Sequence, residues 1–265
     1  MGDIHGGLKA LLQVFERVNY NPEKDKLIML GDYVDGWSES SEVIEYIIKL
    51  KKNNNPDNII TLLGNHDDWC KNWLLLGQAP NHWVSQGGQS TIDSYIKTGY
   101  IAEESHKKFF KECKLFYIDE QNRGFVHGGY VSRKGLGHEV YNANYYWDRD
   151  LWNLALMSHG RKHEEANLVK DGMSNGTRFE RHKEVFIGHT STLNWNYKHN
   201  GVLRIQNENQ KVGQKIMTPI NACNVWNMDT GGGFGGKLTI MDIDTKEYWQ
   251  SDLVGSLYPD ETGRG

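Results

Sequence analysis

An α/β fold is predicted for this chain, and two observations predict it. Short apolar runs alternate with amphipathic helical stretches through the first half, the pattern of a sheet covered by helices. Several of those runs also end in glycine followed by an acidic, amide or imidazole side chain. In open α/β sheets ligands gather beyond the carboxyl ends of the strands.

In chain order, "LKALLQVFERV" (8–18) places Leu8, Leu11, Leu12, Phe15 and Val18 on one helical face. "KLIMLGD" (26–32) is a buried strand that enters a loop. "SESSEVIEYIIKLKK" (38–52) has serines and Glu42 at its start and lysines at its end, matching the dipole of an amphipathic helix. "NIITLLGNHDD" (58–68) repeats the strand, glycine and polar loop. Residues 68–112 read as helical and broken by Gly87-Gly88, and "GFVHGGY" (124–130) as a further strand ending in His-Gly-Gly. Residues 144–157 read as one Trp-rich helix, and 160–183 as loop or exposed helix. "EVFIGHT" (184–190) is again strand, glycine and histidine. Short strands follow in "VLRIQ" (202–206), "NVWNMD" (224–229), "KLTIMDID" (237–244) and "EYWQSD" (247–252), with "TGGGFGG" (230–236) as a turn. No repeat or internal boundary divides the 265 residues, so one domain over 1–265 is expected.

Composition narrows the function classes. A formal net charge of -4 gives no bulk attraction to nucleic acid or to a membrane surface. No apolar run approaches the roughly 20 residues of a membrane span. The three cysteines, Cys70, Cys113 and Cys223, lack C-x-x-C spacing and fit small core residues in a reduced, cytoplasmic setting.

The chemistry concentrates in five loops: "GDIHG" (2–6), "GDYVDG" (31–36), "GNHDD" (64–68), "VHGG" (126–129) and "IGHT" (187–190). Asp, His and Asn supply oxygen and imidazole donors suited to Mn, Fe or Zn. Glycine lets the backbone turn sharply beside an ion or phosphate. Any one of these loops is an ordinary turn. Five behind apolar strands predict a shared metal site.

Together the motifs resemble the calcineurin-like metallophosphoesterases, in the serine/threonine protein phosphatase branch with its bacterial and phage members. The resemblance runs from Gly2 to about Tyr248 and includes "WDRD" (147–150) and "DTGGGFGGKLTIMD" (229–242). It implies a four-layer fold, with two mixed β-sheets packed face to face and flanked by helices. It implies two divalent metal ions, Mn²⁺ first and Fe or Zn as alternatives. Asp3, His5 and Asp32 would hold one, and Asp32, Asn65, His127 and His189 the other. Metal-bound hydroxide would attack phosphorus directly. His66 would be the general acid and Asp35 its carboxylate partner. Residues 68–112 and 130–183 would shape the substrate pocket.

The implied activity is hydrolysis of phosphate monoesters, with a phosphoprotein as one class of substrate. The alternative is a small phosphoester, as for a nucleotide or diadenosine-polyphosphate hydrolase or a phosphodiesterase. A binding scaffold on the same fold is the non-enzyme reading, and the complete ligand set argues against it.

Two departures from the family pattern carry expectations. An arginine that grips phosphate normally follows "GDYVD", but Gly36 stands there, and Leu63 replaces the arginine before "GNH". Arg149 of "WDRD" is expected to bind the substrate phosphate with Asn65, with Arg161, Arg178 or Arg181 as substitutes. A Gly36→Arg change would either restore the clamp and improve monoester turnover or, if Gly36 and Trp37 make room for a bulkier group, abolish activity; Trp37 lies either at the pocket mouth or in packing. Second, only Met1 precedes "GDIHG", where the family has a buried strand. Loss of such a strand is costly, so an upstream apolar segment is expected.

Overall fold

The computed structural model describes residues 1–164, 178–195 and 214–264, without the side chains of 160–164. The expected strand at 202–206 lies outside the described residues. Helix α1 (Leu8–Val18) leads to β1 (Leu27–Met29), α2 (Ser40–Asn53) and β2 (Ile59–Thr61). Helices α3 (Asn65–Leu76), α4 (Asn81–Trp83), α5 (Gln89–Thr98) and α6 (Glu104–Glu112) follow. The break between α4 and α5 falls at Gly87, whose φ of 102° no helix accommodates. Next come β3 (Phe116–Ile118), β4 (Arg123–Val126), α7 (Asn144–Trp147), α8 (Asp150–Glu164) and β5 (Glu184–Ile187). The chain closes with β6 (Ile220–Ala222), β7 (Val225–Asn227), β8 (Thr239–Met241), β9 (Tyr248–Gln250) and α9 (Val254–Leu257).

The fold is the four-layer arrangement. One sheet region contains the parallel pair β1-β2 and the antiparallel pair β8-β9; the facing sheet is mixed, in the order β3-β4-β5-β7-β6. Leu30, Ile60 and Leu62 of the first meet Phe125, Phe186 and Met228 of the second, with the Phe125 and Phe186 rings stacked at 5.0 Å. Outside the first sheet, Leu11, Val14, Ile44, Ile47 and Phe110 cover Leu27, Ile59 and Ile240. Outside the second, Leu151, Trp152 and Ala155 cover Val126, Val185 and Val225. Burying each such side chain stabilises by about 1.5–3 kcal/mol.

Two local expectations are corrected, and the open alternative for Trp37 is decided for packing. Leu12 is 44% exposed; the buried face of α1 is Ala10, Leu11 and Val14. The helix expected over 144–157 is two helices. Asp148 is extended (ψ 134°), and its carboxylate accepts from Leu151 N at 3.0 Å, starting α8. Trp37 is not at a pocket mouth. It is 1% exposed, stacks on Tyr258 with ring centroids 5.2 Å apart, and donates its indole N–H to Gly232 O at 2.8 Å.

The first two residues bridge the two strand pairs. Leu30 N donates to Met1 O at 3.1 Å, and Gly2 N donates to Thr239 O at 3.0 Å. Next to them, between β1 and β8, lies a groove of about 560 Å³ whose lining includes Leu27, Ile28, Phe125, Phe186, Ile240 and Met241.

Candidate metal centre

Four of the five loops leave a strand and turn at once, and the first, 2–6, turns beside β1 without a strand of its own among the described residues. His5, Asp32, Asp35 and His189 hold left-handed backbone conformations, with φ of 53°, 53°, 71° and 67°. For non-glycine residues this costs roughly 1–2 kcal/mol each, and such strain clusters at functional sites. Asp67, a buried carboxylate in the first turn of α3, offsets part of it. It accepts from Asp32 N at 2.7 Å, Tyr33 N at 2.9 Å and Gly64 N at 2.8 Å, tying the second loop to the third. Glycine is required where the loops touch. A Cβ on Gly64 would lie 2.1 Å from Asp32 Oδ1, and one on Gly188 2.2 Å from Asp3 Oδ1.

The expected ligands come together around Asp32. Its Oδ2 stands 3.6 Å from His5 Nε2 and 3.3 Å from His127 Nε2, while Oδ1 accepts from His66 N at 3.0 Å. Asp3, His5 and Asp32 place one ligand atom each within 4.8 Å of one another, and so do Asp32, His127 and His189. The two groups share Asp32. Asn65 Oδ1 lies 3.1 Å from His127 Nε2. The outward ring nitrogens are held: His5 Nδ1 is 3.0 Å from Val34 O, and His127 Nδ1 is 2.9 Å from Leu30 O. Donation to those carbonyls leaves each Nε2 lone pair facing inward, the tautomer that a metal-ligating imidazole needs.

The electrostatics of this cluster demand cations. Asp3 Oδ1 and His189 Nε2 are buried with no hydrogen-bond partner among the described residues, an arrangement that native interiors avoid. Burial, the neighbouring Asp229 and then Asp32 hold the Asp3 carboxyl well above its usual range. Burial and the His127 charge hold His189 well below the usual imidazole value. Burial alone would lower His127, but the Asp32 carboxylate outweighs it and lifts that imidazole to about 9. Two divalent cations sharing Asp32 would relieve every one of these imbalances, so the donor set fits a dinuclear centre.

Beside this cluster, His66 Nδ1 is 2.6 Å from Asp35 Oδ2, with both side chains buried. Asp35 is itself held: Trp83 Nε1 donates to Oδ2 at 2.7 Å and Thr91 Oγ1 to Oδ1 at 2.7 Å. His66 therefore keeps one orientation, with Nε2 as the atom that can pass a proton. Trp83→Phe keeps an aromatic ring, smaller than the buried indole, and removes the N–H. Losing a hydrogen bond to a charged group, about 1.5 kcal/mol, should lower kcat roughly 10-fold on an alkyl phosphate. Unchanged kcat with an unchanged His66 Nδ1 proton resonance would contradict this.

A family model for calcineurin-like phosphoesterases matches residues 1–210. The chain belongs to that family. It is a metal-dependent phosphoester hydrolase. A symmetrical bis(5'-nucleosyl)-tetraphosphatase of Pseudomonas fluorescens (strain SBW25) is 37% identical, covering 97% of this chain and 95% of that one. One of Xylella fastidiosa (strain 9a5c) is 24% identical, covering 96% and 91%. Among solved structures, a serine/threonine phosphatase of Saccharomyces cerevisiae aligns with a TM-score of 0.55 at 14% identity, covering 95% of this chain and 78% of that one. A cold-active protein-tyrosine phosphatase of Shewanella sp. aligns with a TM-score of 0.51 at 15% identity, covering 95% and 79%. These two show the shared fold alone.

In this phosphoesterase the remaining expected residues divide. Arg149 stands at the rim, where Nη1 donates to His189 O at 3.0 Å and Thr190 Oγ1 at 2.8 Å. Arg178 instead lies 4.0 Å from Asp148 Oδ2, and Arg181 Nε donates to Arg133 O at 3.0 Å; the side chain of Arg161 lies outside the described residues. Sequence reasoning missed the roles of Asp67 and Asp229, which lie inside quoted motifs, and of Trp83 and Thr91, which carry none. It also missed an aromatic wall. The ring of Trp69 is 5.1 Å from His66, 5.0 Å from Trp147 and 5.3 Å from His82, and Trp147 lies 6.0 Å from His189. No helix among the described residues is long and apolar enough to cross a membrane.

Proposed function

We propose that the chain hydrolyses dinucleoside polyphosphates, cleaving a symmetrical tetraphosphate to two nucleoside diphosphates. The observation that carries this reading is the aromatic wall of Trp69, Trp147 and His82 beside His66 and His189. Trp147 is 41% exposed, and a large exposed ring beside a phosphate site is a stacking platform for a base. The tetraphosphatase names of relatives aligned over nearly the whole chain support the same class. The monoesterase reading expected first from the sequence, with a phosphoprotein as substrate, becomes the second reading.

In this reading Asp3, His5 and Asp32 hold one cation, and Asp32, Asn65, His127 and His189 the other, Mn²⁺ being the first metal to test. Bound there, two divalent ions would supply Lewis acidity toward phosphoryl oxygens and would lower the pKa of water, making hydroxide available near neutral pH. The protein's own groups do the rest. Asn65 and Arg149 orient phosphoryl oxygens, and the guanidinium fork of Arg149 suits a pair of them. His66 gives a proton to the leaving oxygen as the phosphorus–oxygen bond breaks, and Asp35 keeps the ring aimed. Trp69 and His82 from the 68–112 segment and Trp147 from the 130–183 segment form the pocket wall, with Trp83 buried behind it against Asp35.

The test is product analysis by chromatography with Mn²⁺-loaded protein, diadenosine tetraphosphate, a phosphoserine peptide and an aryl phosphate. ADP as sole nucleotide product is expected. Turnover of the peptide without the dinucleotide would favour the protein phosphatase reading instead. Trp147→Ala should raise KM for the dinucleotide roughly 5–100-fold, as one lost base stack of about 1–3 kcal/mol predicts, and leave aryl phosphate kinetics alone. An equal effect on both substrates would remove the wall from base recognition.

A further inference from the structure

Arg264, like Arg149, reaches the centre from outside all five loops. The C-terminal tail crosses Trp37. Ser38 donates to Glu261 through its N (2.9 Å) and Oγ (2.7 Å), and Arg264 N donates to Gly233 O at 2.8 Å. These bonds set the backbone of Arg264, and its side chain then runs inward. A Cβ on Gly36 would lie 3.0 Å from Arg264 Cγ, and one on Gly233 3.1 Å from its Cδ. The guanidinium crosses the Phe234 ring at 4.8 Å from its centroid and ends with Nη1 3.3 Å from His5 Nε2.

Space and charge both give this side chain a role. Any side chain at position 36 would start against the Arg264 stem, so Gly36 leaves the room that Arg264 uses. Gly36 also has φ of 112°, so Gly36→Arg would meet both strain and the Arg264 stem. That argues against the outcome in which it restores a clamp. Among the described residues no carboxylate lies within ion-pair distance of Arg264. Of its five N–H donors, Nε makes a long contact with Gln86 O at 3.4 Å, and Nη1 points at a ring nitrogen that a metal would claim. A guanidinium held beside a dinuclear cation site, with donors unspent, calls for an anion between them.

We propose that Arg264 is the phosphate clamp of this enzyme, delivered by the C-terminal tail into the space left by Gly36, where it binds phosphoryl oxygens of the substrate. This rests on the phosphoester chemistry of the site and not on which phosphoester is cleaved. Arg264 faces the substrate site with Arg149, whose guanidinium feels the Arg264 charge.

The test compares wild type with Arg264→Ala and Arg264→Lys in Mn²⁺-loaded protein. It reads kcat/KM on diadenosine tetraphosphate and on p-nitrophenyl phosphate, inorganic phosphate affinity by calorimetry, and bound metal by elemental analysis. Arg264→Ala should lower kcat/KM roughly 100–1,000-fold, the range for one lost transition-state donor. It should also weaken phosphate binding at least about 10-fold with metal content unchanged. Arg264→Lys should recover part of both, since a point charge lacks the fork. Unchanged phosphate affinity in Arg264→Ala, or a loss of activity that follows loss of metal, would overturn the assignment. If wild type fails to cleave the dinucleotide, the nucleotide reading falls, and phosphate affinity and the aryl phosphate comparison still decide the role of Arg264.

Discussion

Asp32→Asn is expected to lower kcat by at least about 1,000-fold, the equivalent of roughly 4 kcal/mol in the barrier. The substitution keeps the shape of the side chain, and the backbone remains held by Asp67 through Asp32 N at 2.7 Å. What changes is charge. Asp32 is the one carboxylate common to both ligand groups, and burial around it leaves no water to replace its charge. Two dications a few ångströms apart repel strongly in such a site. Removing the shared charge should release one ion or both. Titration of Mn²⁺ into wild type and variant by calorimetry checks this. Near-wild-type turnover with undiminished metal affinity would show that Asp32 does not join the two halves of the site.

The second large effect is at His66. His66→Ala should lower kcat about 100–10,000-fold on an alkyl phosphate, the usual range for a general acid. It should cost far less on p-nitrophenyl phosphate, whose leaving oxygen needs little protonation. A nucleoside diphosphate is also a stable leaving group, so the dinucleotide should behave more like the aryl ester. Asp35 acts through His66 at 2.6 Å. Asp35→Ala, His66→Ala and the double variant should therefore lose similar amounts on the alkyl ester. Equal losses on good and poor leaving groups would take His66 out of the acid role, and additive losses would uncouple Asp35 from it.

The legible parts of this molecule were those in which chemistry and local structure share a short segment. Each loop carries its glycine and its candidate ligand side by side, so the family resemblance could name Asp3, His5, Asp32, Asn65, His127 and His189 before their convergence was visible. The alternation that marks β1, α2 and β2 was equally local. What could not be read depends on distant approach. Trp83 and Thr91 meet Asp35 across 48 and 56 residues of sequence, and nothing at positions 83 or 91 distinguishes them from ordinary helix residues. Arg264 lies 259 residues from His5, in a tail with no periodicity. Gly36 gave the only hint, as a space with no owner. The Trp-rich helix was misread for a similar reason: its pattern continues through Asp148, but the carboxylate there starts a new helix.

The account depends most on two metal ions per chain. Elemental analysis of protein stripped by chelation, reloaded with Mn²⁺ and freed of excess metal measures this directly. The ligand groups built on Asp3-His5-Asp32 and Asp32-His127-His189 predict two ions per chain, falling to one or none in Asp32→Asn. One ion or none at saturation in the wild type would contradict the dinuclear centre and the roles assigned around it.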